Sequence, residues 1–358
     1  MITEEEIESI IKLSSIKGIG EVTLKKLILR FNPISKTFDT PTNELSEIVG
    51  KKLVSAIRNV KKKTVEPELA VLKKLEAKLI IFKDSSYPEN LKNLPDVPPF
   101  LYIRGEILPQ DTLSIAIIGA RQASPYGRFI AEKFASEFAR SGITVVSGLA
   151  RGIDSCAHRG ALKTEGRTIA VLGSGIDVVY PPENKDLFEE ICTHGACISE
   201  FPPGTQPLRG NFPTRNRLMS GLSKAVVAIE ATTKSGVFST VEWALEQDKQ
   251  VFAVPGNITS ETSKGVNRLI ADGAQIATSP QDVMEYLGIE PTATKERELK
   301  LSEEESKIWG LLSHESMQAD ALAERLGLKI PKILGTLLNL ELKGIVKQLP
   351  GRNFVRNI

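Results

Sequence analysis

Between residues 114 and 287, short continuous apolar runs alternate with helix-patterned segments, and nothing else in the chain narrows its fold so far. The runs cover residues 115–118, 144–146, 168–171, 196–198, 226–229, 251–254 and 275–277. Continuous rather than alternating apolar character marks strands covered on both faces, as in a parallel sheet. Helices between parallel strands supply the crossovers. The pattern therefore predicts an α/β protein with a doubly wound, extended Rossmann-like core over residues 76–288. Ligands of such sheets sit beyond the carboxyl ends of the strands, so the loops after each run carry the functional interest.

The first loop reads Gly119-Ala-Arg121-Gln-Ala-Ser124-Pro-Tyr126-Gly127, and the segment after it places Phe129, Ile130, Phe134 and Phe138 at helical spacing. Strand, glycine turn and helix N-terminus together predict an anion site, because free N–H groups and the helix dipole converge there. A dinucleotide fingerprint needs G-x-G-x-x-G, and its second glycine position is Arg121. A guanidinium at that point argues against a nicotinamide cofactor, and no cofactor is expected.

Further loops repeat the theme. Ser147-Gly148-Leu-Ala-Arg151-Gly152-Ile-Asp154 follows the second run. Gly173-Ser174-Gly175-Ile-Asp177 follows the third and trails into Tyr180-Pro-Pro-Glu183-Asn184. The fourth leads through Glu200-Phe201-Pro-Pro-Gly204-Thr205 to Arg209-Gly-Asn211-Phe212-Pro213-Thr-Arg215-Asn216-Arg217, and Ser235-Gly236 opens the helix after the fifth. Small residues let a backbone approach a ligand, while Arg121, Arg151, Arg209, Arg215 and Arg217 can line one edge. That set suits a polyanion better than a mononucleotide, since arginines fork onto phosphate oxygens and Phe212 or Tyr126 can stack on unpaired bases. A second use stands beside the first: Arg215 and Arg217 can pair with Glu200 or Glu230, and Phe212 can cover the core.

Outside the core, Leu13-Ser-Ser-Ile16-Lys-Gly18-Ile-Gly20-Glu-Val-Thr-Leu24 fits a helix-hairpin-helix in a helical, SAM-like domain over residues 1–75, with a weaker second hairpin near Gly50. Such a turn either contacts DNA phosphates through its amides or serves packing alone. Lys61-Lys-Lys63 reads as a solvated helix face. Residues 79–82 and 100–103 look like strands around a proline-rich stretch. A polar linker is expected over 289–300, then a winged helix over 301–358: a capping box at Ser302-Glu-Glu-Glu305, three helices, and a hairpin turning at Pro350-Gly351-Arg352. The third of these helices carries only Lys332 and Lys343 as cations, too few donors for a typical groove reader.

Composition supports a globular chain, with 41% hydrophobic and 25% charged residues in 358, and a net charge of +2 leaves nucleic acid allowed but not required. The acidic start and the lack of any apolar run of membrane length predict a cytoplasmic protein with no membrane partner. Cys156, Cys192 and Cys197 show no C-x-x-C spacing and read as buried hydrophobes rather than metal ligands. His158, His194 and His314 are scattered, and no catalytic set or Walker sequence appears.

Three loop motifs, Gly119-Ala-Arg121-x-x-Ser124-x-Tyr126-Gly127, Ser147-Gly-Leu-Ala-Arg-Gly-Ile-Asp154 and Gly173-Ser-Gly-Ile-Asp-x-x-Tyr-Pro-x-Glu-Asn184, resemble the DNA processing protein A (DprA/Smf) family. So do Phe201-Pro-Pro-Gly-Thr205, Asn211-Phe-Pro-x-Arg-Asn-Arg217 and Val251-Phe-Ala-Val-Pro-Gly-Asn257, in the same order. The resemblance implies single-stranded DNA binding, homodimerisation, and loading of the RecA recombinase onto DNA coated by single-strand-binding protein, as in natural transformation and competence. By the same resemblance Arg121 contacts the DNA backbone, Arg209 stands where the family often has lysine, and Phe212 stacks on a base. The expected DNA-contacting set is Gly119, Arg121, Ser124, Tyr126, Gly127, Ser147, Gly148, Arg151, Gly173, Ser174, Gly175, Arg209, Phe212, Arg215, Arg217, Ser235 and Gly236, with no catalytic and no metal-binding residue.

The core also resembles the lysine-decarboxylase-like nucleotide phosphoribohydrolases, whose Pro-Gly-Gly-x-Gly-Thr-x-x-Glu corresponds to Lys234-Ser-Gly236-Val-Phe-Ser-Thr240-Val-Glu242-Trp243. Trp243 takes the place of the catalytic glutamate, and Glu242 lies about 100° round the helix from it. An enzyme is therefore the alternative, and a binding protein the expectation.

Overall fold

The computed structural model describes residues 2–289, 301–312, 316–349 and 351–356. Most of the expected linker, His314 and the hairpin residue Pro350 lie outside the described residues. The chain divides into two compact units, up to residue 292 and from residue 293 on.

The first unit begins with helices. A capping box between Thr3 and Glu6 opens α1 (Glu4–Ser14), which satisfies N-terminal amides that the helix itself cannot. The chain turns through Gly18, at φ +104°, into α2 (Glu21–Arg30), as expected of the hairpin. A second pair, α3 (Thr42–Val49) and α4 (Lys51–Val60), meets at Gly50, and α5 (Glu66–Lys74) follows. Ile11, Leu13, Leu24, Leu27 and Ile57 of these helices share one continuous apolar cluster with Leu79, Tyr102, Ala170 and Phe188. The helices thus cover part of the sheet rather than enclosing a separate core.

Nine strands form the main sheet: β1 (Lys78–Ile81), β2 (Phe100–Gly105), β3 (Ser114–Ile118), β4 (Thr144–Ser147), β5 (Thr168–Val171), β6 (Ala196–Ser199), β7 (Ala225–Ala228), β8 (Gln250–Ala253) and β9 (Gln275–Ile276). Their order is β1-β2-β6-β5-β4-β3-β7-β8-β9. From β6 to β9 every pair is parallel, while β1 and β2 add an antiparallel edge beside β6. The chain lays down β3 to β6 in one direction, then returns to place β7 on the other side of β3. Between β3 and β7 lies the switch point at which such sheets open a crevice.

A short α6 (Glu89–Lys92) precedes β2, and the crossovers are α7 (Pro125–Arg140), α8 (Ile153–Leu162), α9 (Lys185–His194), α10 (Asn211–Leu222), α11 (Val237–Glu246), α12 (Glu261–Ala271) and α13 (Pro280–Tyr286). Along β3, Ile115 and Ile117 pack with Phe134, Phe138 and Ala157 of α7 and α8. Ala116 and Ile118 pack with Leu218, Val241 and Val266 of α10, α11 and α12. Successive residues of one strand are therefore buried on opposite faces, the physical meaning of the unbroken apolar run.

The second unit is a winged helix. Ser302 and Glu305 close a capping box on α14 (Glu303–Leu311), and Gly327 ends α15 (Ala319–Leu326) in the left-handed conformation. Helix α16 (Ile330–Leu342) and the wing, β11 (Val346–Leu349) against β12 (Asn353–Arg356), complete it, with β10 (Met317–Gln318) on the far side of β12. Ile308, Leu322, Ile333, Leu337 and Phe354 make its core. Lys332 of α16 and Lys343 at its C-cap are engaged inside the unit, Lys332 with Glu304 and Lys343 with Glu305.

Candidate functional site

The N-terminus of α7 holds an anion, and that anion belongs to the chain itself. Glu230, buried after β7, reaches across the switch point to the loop after β3. Ser124 donates to its carboxylate from the backbone N–H at 2.9 Å and from Oγ at 2.6 Å. Thr262 adds a third donor at 3.0 Å, and the Gly127 N–H turns back to Ser124 Oγ. A side chain at Gly127 would strike the Glu230 carboxylate. Ser124 and Gly127, read from sequence as ligand contacts, are thus placed around Glu230. The crevice that would hold a dinucleotide phosphate is closed from within.

Beyond this plug, the loops converge on the Phe212 ring at the start of α10. The Arg121 guanidinium lies 5.2 Å from the ring centroid and that of Arg215 6.0 Å, while the Tyr180 ring stands 6.0 Å away, tilted by 45°. Arg121 is exposed and Phe212 half-buried. Among the described residues, no carboxylate forms an ion pair with Arg121. Arg215, by contrast, is only 4% exposed. It donates to the Gly148 carbonyl at 2.8 Å and to the Val171 carbonyl, tying α10 to the ends of β4 and β5. Burial lowers its pKa to about 10, with Arg121 acting in the same direction and buried Asp154 opposing them. Asp154 is in turn pushed up by burial and held down by Arg215. The two arginines flanking Phe212 thus have separate jobs: Arg215 is internal scaffolding, and Arg121 offers its charge outward.

Close approach explains two of the glycines. A Cβ on Gly173 would come 2.8 Å from Phe212 Cδ1, and one on Gly148 would collide with the Arg215 guanidinium. These residues let the chain's own side chains approach, where the sequence suggested room for a ligand. Gly173→Ala is accordingly expected to displace the Phe212 ring and weaken any binding that depends on it by several-fold, with a stability loss of about 1–3 kcal/mol from overpacking. Ligand titration and thermal melts of the variant measure both; unchanged binding with an unchanged melt would contradict the packing role.

The remaining residues divide. Arg209 is exposed on the turn before α10, and Tyr126 is 52% exposed on the first turn of α7. Arg151 is exposed but grips Glu183 through two hydrogen bonds. Ser147 and Ser174 are buried, with hydroxyls donating to the carbonyls of Ile117 and Val178. Gly119 packs against Ile153, and Gly175 against Pro202 and Asp177. Ser235 is half-buried at the start of α11, with Gly236 open beside it. Arg217 is not brought to this edge: it is 3% exposed and meets Glu200, Glu21 and Asp96. Sequence reasoning left Glu183 and Asp154 unassigned, and gave Glu230 only a possible pairing with Arg215 or Arg217. All three sit within or next to motif segments, but a carboxylate in a cationic loop does not announce its partner.

Trp243 donates its indole N–H to the Pro213 carbonyl at 3.1 Å, joining α11 to α10, while Glu242 faces solvent. His158 is enclosed, bonded to Thr168 Oγ1 at 2.7 Å, and burial drops its pKa to about 3. Trp243 and His158 are thus both engaged inside the fold.

Fold and site define a doubly wound α/β protein with an outward arginine and an aromatic ring at the carboxyl edge of its sheet, followed by a winged helix. Residues 78–288 match the family described as DNA recombination-mediator protein A, and residues 290–352 the DprA winged helix domain. Protein Smf of Synechocystis is 31% identical over 96% of this chain and 97% of its own length. The solved structure of DNA processing protein A from Streptococcus pneumoniae matches 79% of this chain and 98% of that one, at 33% identity and a TM-score of 0.68. That of DNA processing protein A from Helicobacter pylori, which concerns its single-stranded DNA binding mode, matches 60% of this chain and 96% of that one, at 31% identity and TM-score 0.54. The chain belongs to the DNA processing protein A (DprA/Smf) family.

Proposed function

We propose that the chain binds single-stranded DNA along the carboxyl edge of its sheet and acts as a recombination mediator. In this reading it works by binding rather than catalysis, in the cytoplasm and as a homodimer. It loads a RecA recombinase onto strands coated by single-strand-binding protein, the step that natural transformation requires. One observation carries the DNA part: the exposed Arg121 guanidinium over the Phe212 ring. A guanidinium forks onto a phosphate, and a neighbouring ring face accepts an unpaired base. A duplex keeps its bases stacked and offers that ring nothing. Family membership and the DNA-binding relative from Helicobacter pylori support the same reading.

The test is fluorescence anisotropy with labelled oligothymidylate beside a matched duplex, over a range of salt. Single strands are expected to bind more tightly, with log affinity falling by about 0.7 per log salt for each phosphate neutralised. Equal or tighter duplex binding at matched salt overturns the proposal. For the recombinase step, the protein is expected to speed RecA filament growth on coated strands; no acceleration would refute that part.

A further inference from the structure

Beside Phe212 lies a second set of groups that takes no part in the Arg121 contact. Tyr180, 38% exposed in the segment after β5, presents its ring 6.0 Å from that of Phe212. With a 45° tilt between them, the two rings do not form a sandwich for one base; each presents its own face. Arg151, in the loop after β4, turns its fork onto Glu183, three residues beyond Tyr180. The Glu183 hydrogen bond is the largest influence raising the Arg151 pKa, with Tyr180 among the smaller ones, so the three groups stand together.

We infer that Tyr180 and Arg151 form a second nucleotide subsite, the ring for a base and the guanidinium for a phosphate, which the Glu183 carboxylate occupies until a strand displaces it. The inference rests on the single-stranded DNA reading of the Arg121–Phe212 site. A carboxylate offers Arg151 the same two-oxygen geometry as a phosphate diester, so one can replace the other on the same fork. Both partners are about half-exposed, at 55% and 52%, and an ion pair so open to water is weak enough to exchange. Among the described residues, Arg121 has no such competitor. A strand would therefore engage Arg121 and Phe212 first and open Arg151 second.

Anisotropy titrations of the full chain with labelled oligothymidylate test this, with thermal melts to confirm folding. Tyr180→Leu is expected to weaken binding about fivefold or more, and Tyr180→Phe, which keeps the ring, to recover most of that loss. Glu183→Gln is expected to tighten binding about threefold by releasing Arg151, and the gain should vanish in the Arg151→Gln background. Binding by Tyr180→Leu within twofold of the parent overturns the subsite. Tightening by Glu183→Gln that persists without Arg151 overturns the exchange, since general charge removal would then explain it. If Arg121→Ala and Phe212→Ala themselves leave affinity unchanged, the underlying DNA reading fails, and the subsite with it.

Discussion

Phe212→Ala is expected to cost about 1–3 kcal/mol of single-stranded DNA binding, and Arg121→Ala to weaken binding to all sequences alike. The ring loses a stacking face, whereas the guanidinium loses a phosphate, which is the same for every base. Arg121 lies over the ring it would lose, a cation–π contact worth about 0.5–1 kcal/mol at an exposed site. That contact is already present without DNA and cancels from the binding difference, so the double variant is expected to lose about the sum of the two single effects. Titrations across homopolymers separate the roles, because only Arg121→Ala should also flatten the salt dependence. A loss below about 0.3 kcal/mol in a folded Phe212→Ala would return that residue to a core-covering role.

The largest effect on stability is expected at Arg217. This buried guanidinium holds Glu200, Glu21 at the start of α2, Asp96 and the Asp96 carbonyl, so it joins α10 to the N-terminal helices. Arg217→Met removes the one cation among three carboxyls and should cost about 3–5 kcal/mol, visible as a lowered melting temperature. A loss under about 1 kcal/mol would show the network to be dispensable. The same cluster sets a pH dependence. Burial raises the Glu200 pKa from 4.5 to about 8, against the pull of Arg217 and helped by Glu21 and Asp96. Between those values the folded state holds a proton that the unfolded state has released, so the Glu200 contribution to stability is fully present below pH 4.5 and is lost as pH rises through about 8. Glu200→Gln should flatten that limb; an unchanged profile would assign it elsewhere.

Much of the fold was legible in the chain. Six of the seven apolar runs became buried strands of the core, because a strand covered on both faces must be apolar throughout, a local property; the seventh became β9, an exposed strand at the sheet's edge. Gly18 and Gly50 marked helix junctions, and Ser302 with Glu305 marked a helix start, for equally local reasons. The site was legible only as a set of loops. Arg121, Arg215 and Arg217 are one residue type within motifs of one family, yet one is exposed and two are buried. No pattern along the chain separates them.

Sequence alone determined the doubly wound class, the winged helix and the loops that follow each strand, since periodicity and turn chemistry act over a few residues. Tertiary structure decided which charges remain available. Glu230 comes from after β7 to fill the helix terminus after β3, Glu200 and Glu21 bond to Arg217 from opposite parts of the chain, and Glu183 covers Arg151. These pairings span loops brought together only when the sheet forms. A charge's partner, unlike its helix or strand, is set by distance in space.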